Sequence, residues 1–63
     1  MKVKLDGEEV EIGRRRAKVG VILRLLCINP EVALVLKNGR LVTEDEEIRE
    51  EDDCLILRTV VLR

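Results

Sequence analysis

Asp6-Gly7 stands between two short runs in which apolar and charged residues alternate, Lys2-Val3-Lys4-Leu5 and Glu8-Glu9-Val10-Glu11-Ile12. A two-residue type I′ turn needs positive φ at both central positions, and Asp-Gly supplies that with little strain. With Asp6 and Gly7 as the loop, Val3 falls opposite Val10 on one face, while Lys4 meets Glu9 and Lys2 meets Glu11 on the other. Apolar partners on one side and opposite charges on the other define a half-buried hairpin. A slip by one residue destroys both patterns, so the register is set before the rest of the chain is considered.

The remainder of the 63 residues must cover the apolar face with aliphatic side chains, because the chain has no Phe, Tyr or Trp. Gly13-Arg14-Arg15-Arg16 reads as a polar, solvated connection, with contact to an anion or an acidic partner as the alternative. Val19, Ile22, Leu23 and Leu26 then recur at i, i+3, i+4 and i+7, the apolar stripe of a helix over 17–26. Asn29-Pro30 ends it, since the residue before proline is steered away from the α region.

Glu31 to Lys37 reads as a strand, and Asn38-Gly39 as a second turn leading to Arg40-Leu41-Val42. A two-residue loop there sets Lys37 opposite Arg40, a like-charge pair that a longer loop would relieve. Thr43 to Asp53 is strongly acidic, with Ile48 alone suited to burial. It predicts a capped helical turn over Thr43-Glu44-Asp45-Glu46 and then an acidic turn, either plainly solvated or steering toward a basic partner. The last strand, Cys54-Leu55-Ile56-Leu57-Arg58 continuing through Val60-Val61-Leu62-Arg63, is apolar enough to lie centrally, beside the first strand and parallel to it.

The order β-β-α-β-β-β over a single domain, residues 1–63, predicts an α+β fold: a ubiquitin-like β-grasp with a mixed four- to five-stranded sheet and one main helix on one face. Composition narrows function. Without His there is no imidazole base, no Ser-His or Cys-His pair and no His metal ligand. A closed zinc shell needs four ligands, and no CxxC spacing occurs. No metal or cofactor is implied. With no aromatic platform and a net charge of −1, nucleic acid is not an expected partner. Arg24 breaks the longest apolar run well short of the ~20 residues that span a bilayer, and the start is not a secretory signal. The expectation is a soluble cytoplasmic protein with Cys27 and Cys54 as buried thiols.

Ile28-Asn29-Pro30-Glu31 and Lys37-Asn38-Gly39-Arg40-Leu41-Val42-Thr43-Glu44-Asp45-Glu46 closely resemble the small sulfur-carrier proteins of the ThiS/MoaD family and their archaeal ubiquitin-like relatives. Val19-x-x-Ile22-Leu23 is similar to that family's helix start, and Glu51-Asp52-Asp53 stands where members often carry Asp-Gly-Asp. The resemblance spans nearly the whole chain. It implies a protein that is not itself an enzyme. An E1-like adenylating partner would activate its C-terminal carboxylate, which then becomes a thiocarboxylate or is joined to a target protein or sulfur acceptor. Leu62 and Arg63 would be the carrier C-terminus. They reach about where the family's Gly-Gly begins, and no glycine is present there. Either a Gly-Gly tail follows Arg63 in the natural gene product, or a partner accepts this ending, or the chain is a β-grasp protein-interaction module without carrier chemistry. Cys27 falls where relatives place a helix-ending glycine, which suggests a different cap with Ile28 tucked under the sheet.

One docking surface follows from a choice of facing. If Leu55 and Leu57 point toward the helix, then Ile56, Ala33 and Val35 point away. They would form an aliphatic partner-docking patch on the open sheet face, rimmed by Arg58 and Lys37.

Overall fold

The computed structural model describes residues 1–59. The Asp6-Gly7 hairpin is present as expected. Strand β1 (Lys2–Leu5) pairs antiparallel with β2 (Glu8–Glu11), and Val3 meets Val10, Lys4 meets Glu9 and Lys2 meets Glu11. Asp6 and Gly7 take φ values of 50° and 89°, the left-handed pair that a type I′ turn demands. Strand β3 (Arg16–Lys18) follows, then helix α1 (Val19–Leu25), a single 3-10 turn at Pro30–Val32, and strands β4 (Ala33–Lys37), β5 (Arg40–Val42), β6 (Glu47–Arg49) and β7 (Cys54–Arg58).

The main sheet has five strands in the order β2-β1-β7-β4-β5. Strand β7 is central and runs parallel to β1, with Leu5 beside Ile56, and antiparallel to β4, with Val35 beside Ile56. This is the predicted α+β β-grasp arrangement. A second sheet, absent from the sequence expectation, consists of β3 and β6. The first part of the predicted helix is therefore strand, and the predicted helical turn after Thr43 is a turn closed by the Glu46 N–H on the Thr43 carbonyl. Pairing explains both departures. Ala17 meets Ile48 across the ribbon, and Ile48 is fully buried. Ribbon pairing also satisfies backbone groups that a longer helix would have paired internally.

Helix α1 has no side-chain N-cap. Its first N–H groups, on Val19 and Gly20, donate instead to the carbonyls of Glu46 and Glu44. The C-terminus closes with a Schellman motif: the Ile28 N–H donates to the Leu23 carbonyl and the Cys27 N–H to that of Arg24. Cys27 itself occupies the left-handed position, φ 58°. The expectation of a different cap is thus corrected. Buried Ile28 and Leu23 supply the apolar contact that holds the cap shut, and cysteine tolerates the strain. Cys27 is exposed, contrary to expectation, whereas Cys54 is buried.

The core is aliphatic: Met1, Val3, Ile12, Val19, Ile22, Leu23, Ile28, Val35, Ile48, Cys54 and Ile56. The Asn38-Gly39 turn keeps its two-residue register, and Lys37 does oppose Arg40. Their repulsion is offset because Lys37 Nζ lies 3.0 Å from Glu46 Oε2 and 3.8 Å from Asp52 Oδ2.

A non-glycine residue in the left-handed region carries about 1–2 kcal/mol of strain, partly offset by glycine's greater entropy when unfolded. Cys27→Gly should therefore raise stability by about 0.5–1 kcal/mol in urea denaturation. Unchanged or lower stability would contradict the cap described here.

Candidate functional site

The open face of the sheet is divided by charge. Parity along the strands puts Lys2, Lys4, Glu9 and Glu11 on the β2–β1 half, all exposed. The same face of β7, β4 and β5 carries only leucine: Leu55 and Leu57, Leu34 and Leu36, and Leu41. Leu34 lies opposite Leu57, Leu36 opposite both Leu55 and Leu41, and Leu55 beside Lys4. Their side chains therefore form one contiguous surface. Leu41 is 65% exposed, Leu34 46% and Leu57 38%, and Leu36 and Leu55 are half-buried. Contiguous apolar surface of this kind, rimmed by charge, is characteristic of interaction sites.

The predicted docking patch has the opposite facing and is corrected here. Val35 is 4% exposed and Ile56 0%; both lie in the core under α1, and Ala33 packs partly against it. Strand β7 is apolar on both faces, so alternation alone does not orient it. Its pairing with β1 does: Leu5 shares the buried face with Val3, and Ile56 lies beside Leu5. Val3, Val35 and Ile56 are buried on the inward face, and the leucines of β4, β5 and β7 lie on the outward one. In sequence the hairpin's Lys4 marks the outer face, but only the assembled sheet shows that Leu55 lies beside it.

Arg58 is exposed at the end of β7, but its side chain is occupied. Its Nε donates to Asp6 Oδ2 at 2.6 Å and its N–H to Asp6 Oδ1 at 3.0 Å. Next to it, the Thr59 N–H and hydroxyl both donate to the Val32 carbonyl. The hairpin turn and the 3-10 turn just before β4 thus grip the end of the central strand from either side. Accepting the Arg58 backbone N–H, and then bonding its guanidinium, hold the Asp6 carboxyl below its ordinary value of 3.8. Leu62 and Arg63, the predicted carrier terminus, lie outside the described residues.

Part of the acidic segment is committed to the fold. Asp52 accepts from the Arg49 N–H and from the Asn38 side chain, which lower its pKa in that order. The bond to Glu46, reinforced by the charge of Asp52, raises that of Lys37. Burial, followed by the charges of Asp53 and Asp52, pushes the Cys54 thiol up to about 11, so it is a poor nucleophile. No helix among the described residues is long and apolar enough to cross a membrane.

Among solved structures, the chain superposes on the crystal structure of ThiS, a thiamine biosynthesis protein from Geobacter metallireducens. The match covers 100% of both chains at a TM-score of 0.69 and 17% identity. No family model and no curated protein sequence matches. The likeness shows the fold, a β-grasp.

Because the folded pKa of Asp6 is depressed, its contribution is present above 3.8 and is lost as pH falls through the lowered folded value. Asn favours the same left-handed turn conformation, so Asp6→Asn removes the charge and spares the hairpin. The variant should be less stable than the wild type at neutral pH, and the gap should close as pH falls below 3.8 through the lowered folded value. A gap independent of pH would contradict the clamp.

Proposed function

We propose that this chain is a ubiquitin-like sulfur carrier or modifier that is not itself an enzyme and acts through its C-terminus. An E1-like adenylating partner grips the leucine face and joins the terminal carboxylate to AMP, releasing pyrophosphate from ATP. A sulfur nucleophile then displaces AMP to leave a thiocarboxylate, or a target amine displaces it to form an amide. The observation that carries this reading is the end-to-end superposition on a sulfur-carrier fold. The described geometry supports it further. The central strand ends at a clamped point, Asp6–Arg58 and Val32–Thr59, on the same strand that supplies Leu55 and Leu57.

A second reading, a β-grasp interaction module without carrier chemistry, draws on the leucine face alone. Incubating the protein with an E1-like adenylating enzyme from the same organism and Mg-ATP separates the two. The carrier reading expects an intact-mass increase matching AMP, or oxygen-to-sulfur exchange when a sulfur donor is supplied. A stable complex with no covalent product favours the module and contradicts the carrier. Burying a leucine contributes about 1.5–3 kcal/mol, so Leu34→Ser with Leu57→Ser should weaken the complex by at least about tenfold. Unchanged affinity would remove the leucine face from either reading.

A further inference from the structure

The ribbon of β3 and β6 turns Ala17 and Ile48 inward to the core, so Arg16, Lys18, Glu47 and Arg49 face outward. The core separates this surface from the leucine face on the far side of the sheet. Arg14 and Arg15 lead into it, and Arg14, Arg15, Arg16, Lys18 and Arg49 are all exposed. Arg16 lies directly opposite Arg49. The one carboxylate on the ribbon, Glu47, turns to Arg49, with Oε1 3.0 Å from its Nε. Among the described residues, Arg14, Arg15, Arg16 and Lys18 have no ion-pair partner.

We propose that the outward face of this ribbon, with Arg14, Arg15, Arg16, Lys18 and Arg49, is a docking surface for an acidic segment of a partner protein. Like charges directly opposite across a strand pair destabilise a sheet. Glu47 answers the charge of Arg49, but Arg16 has no such partner among the described residues, and local penalties of this kind concentrate at functional sites. The Lys37–Arg40 pair differs in degree: Lys37 there has two carboxylates, Glu46 and Asp52, whereas Glu47 alone pairs with Arg49 on a surface of five cations.

Size and rim favour a short acidic peptide over a nucleic acid. The ribbon is three residues long, about 10 Å at strand spacing. Glu50 and Glu51 follow Arg49 and are exposed, so they would repel a long polyanion crossing the patch. The chain has no aromatic side chain on which a base could stack. A loop bearing several carboxylates fits the cations and stops short of that rim.

The test uses the full chain and a fluorescein-labelled tetra-glutamate peptide, followed by anisotropy at low salt. The peptide should bind and weaken as salt is added. Arg15→Glu with Arg16→Glu should cost about tenfold or more in affinity. The same variant should melt higher than the wild type, because Glu at position 16 would attract Arg49. Leu34→Ser with Leu57→Ser should leave peptide binding unchanged, which separates this surface from the carrier reading. Any of four results overturns the proposal: peptide affinity unaffected by the charge reversal; tighter binding of a single-stranded oligonucleotide of equal charge; peptide binding lost with the leucines; or self-association in sedimentation that the charge reversal abolishes.

Discussion

Strand β7 is seated between β1 and β4, and Ile56 lies at the point where all three meet. It is fully buried, beside Leu5 on one side and Val35 on the other. A parallel neighbour needs a crossover, and the chain from Gly13 to Asp53 supplies it, with a helix and a ribbon that cover one side of the sheet and a hairpin, β4–β5, that extends the sheet itself. Every facing follows from that seat. With Ile56 inward, Cys54 and Val35 are inward too, and Leu34, Leu36, Leu41, Leu55 and Leu57 have no place except on the open face.

Local chemistry foretold most of the architecture. Asp6-Gly7 and Asn38-Gly39 impose their turns whatever surrounds them, and the charge pairs of the hairpin admit one register. The helix stripe and the burial of Ile48 were likewise plain. The ribbon was not, since three-residue strands have too few positions to show alternation, and their partners lie about thirty residues apart. Arg16 therefore read as loop and Lys18 as helix. The docking surface failed for a different reason. Strand β7 alternates between isoleucine or cysteine and leucine, all apolar, so period two carries no contrast, and facing depends on a partner register that only the assembled sheet reveals. Cys27 shows tertiary packing overriding local preference: burial of Ile28 against Leu23 holds a residue with a Cβ in the glycine position.

The surface is partitioned in a way that composition conceals. A net charge of −1 hides an outward cationic ribbon, a charged half-sheet of alternating sign and an acidic turn partly consumed in holding Lys37 and Asn38. The leucine face and the ribbon lie on opposite sides of the core, so one partner on each is sterically compatible. The Asp6–Arg58 clamp belongs to neither. It fixes where the central strand ends, and so where a partner on the leucine face would find the chain's continuation.

The facing of β7 is most directly measured by comparing Ile56→Ala with Leu57→Ala in urea denaturation. Removing a fully buried isoleucine should cost about 2–5 kcal/mol, while trimming the exposed leucine next to it should cost about 1 kcal/mol or less. The reverse order, with Leu57→Ala the more damaging, would mean that the strand faces the other way and that no leucine surface exists.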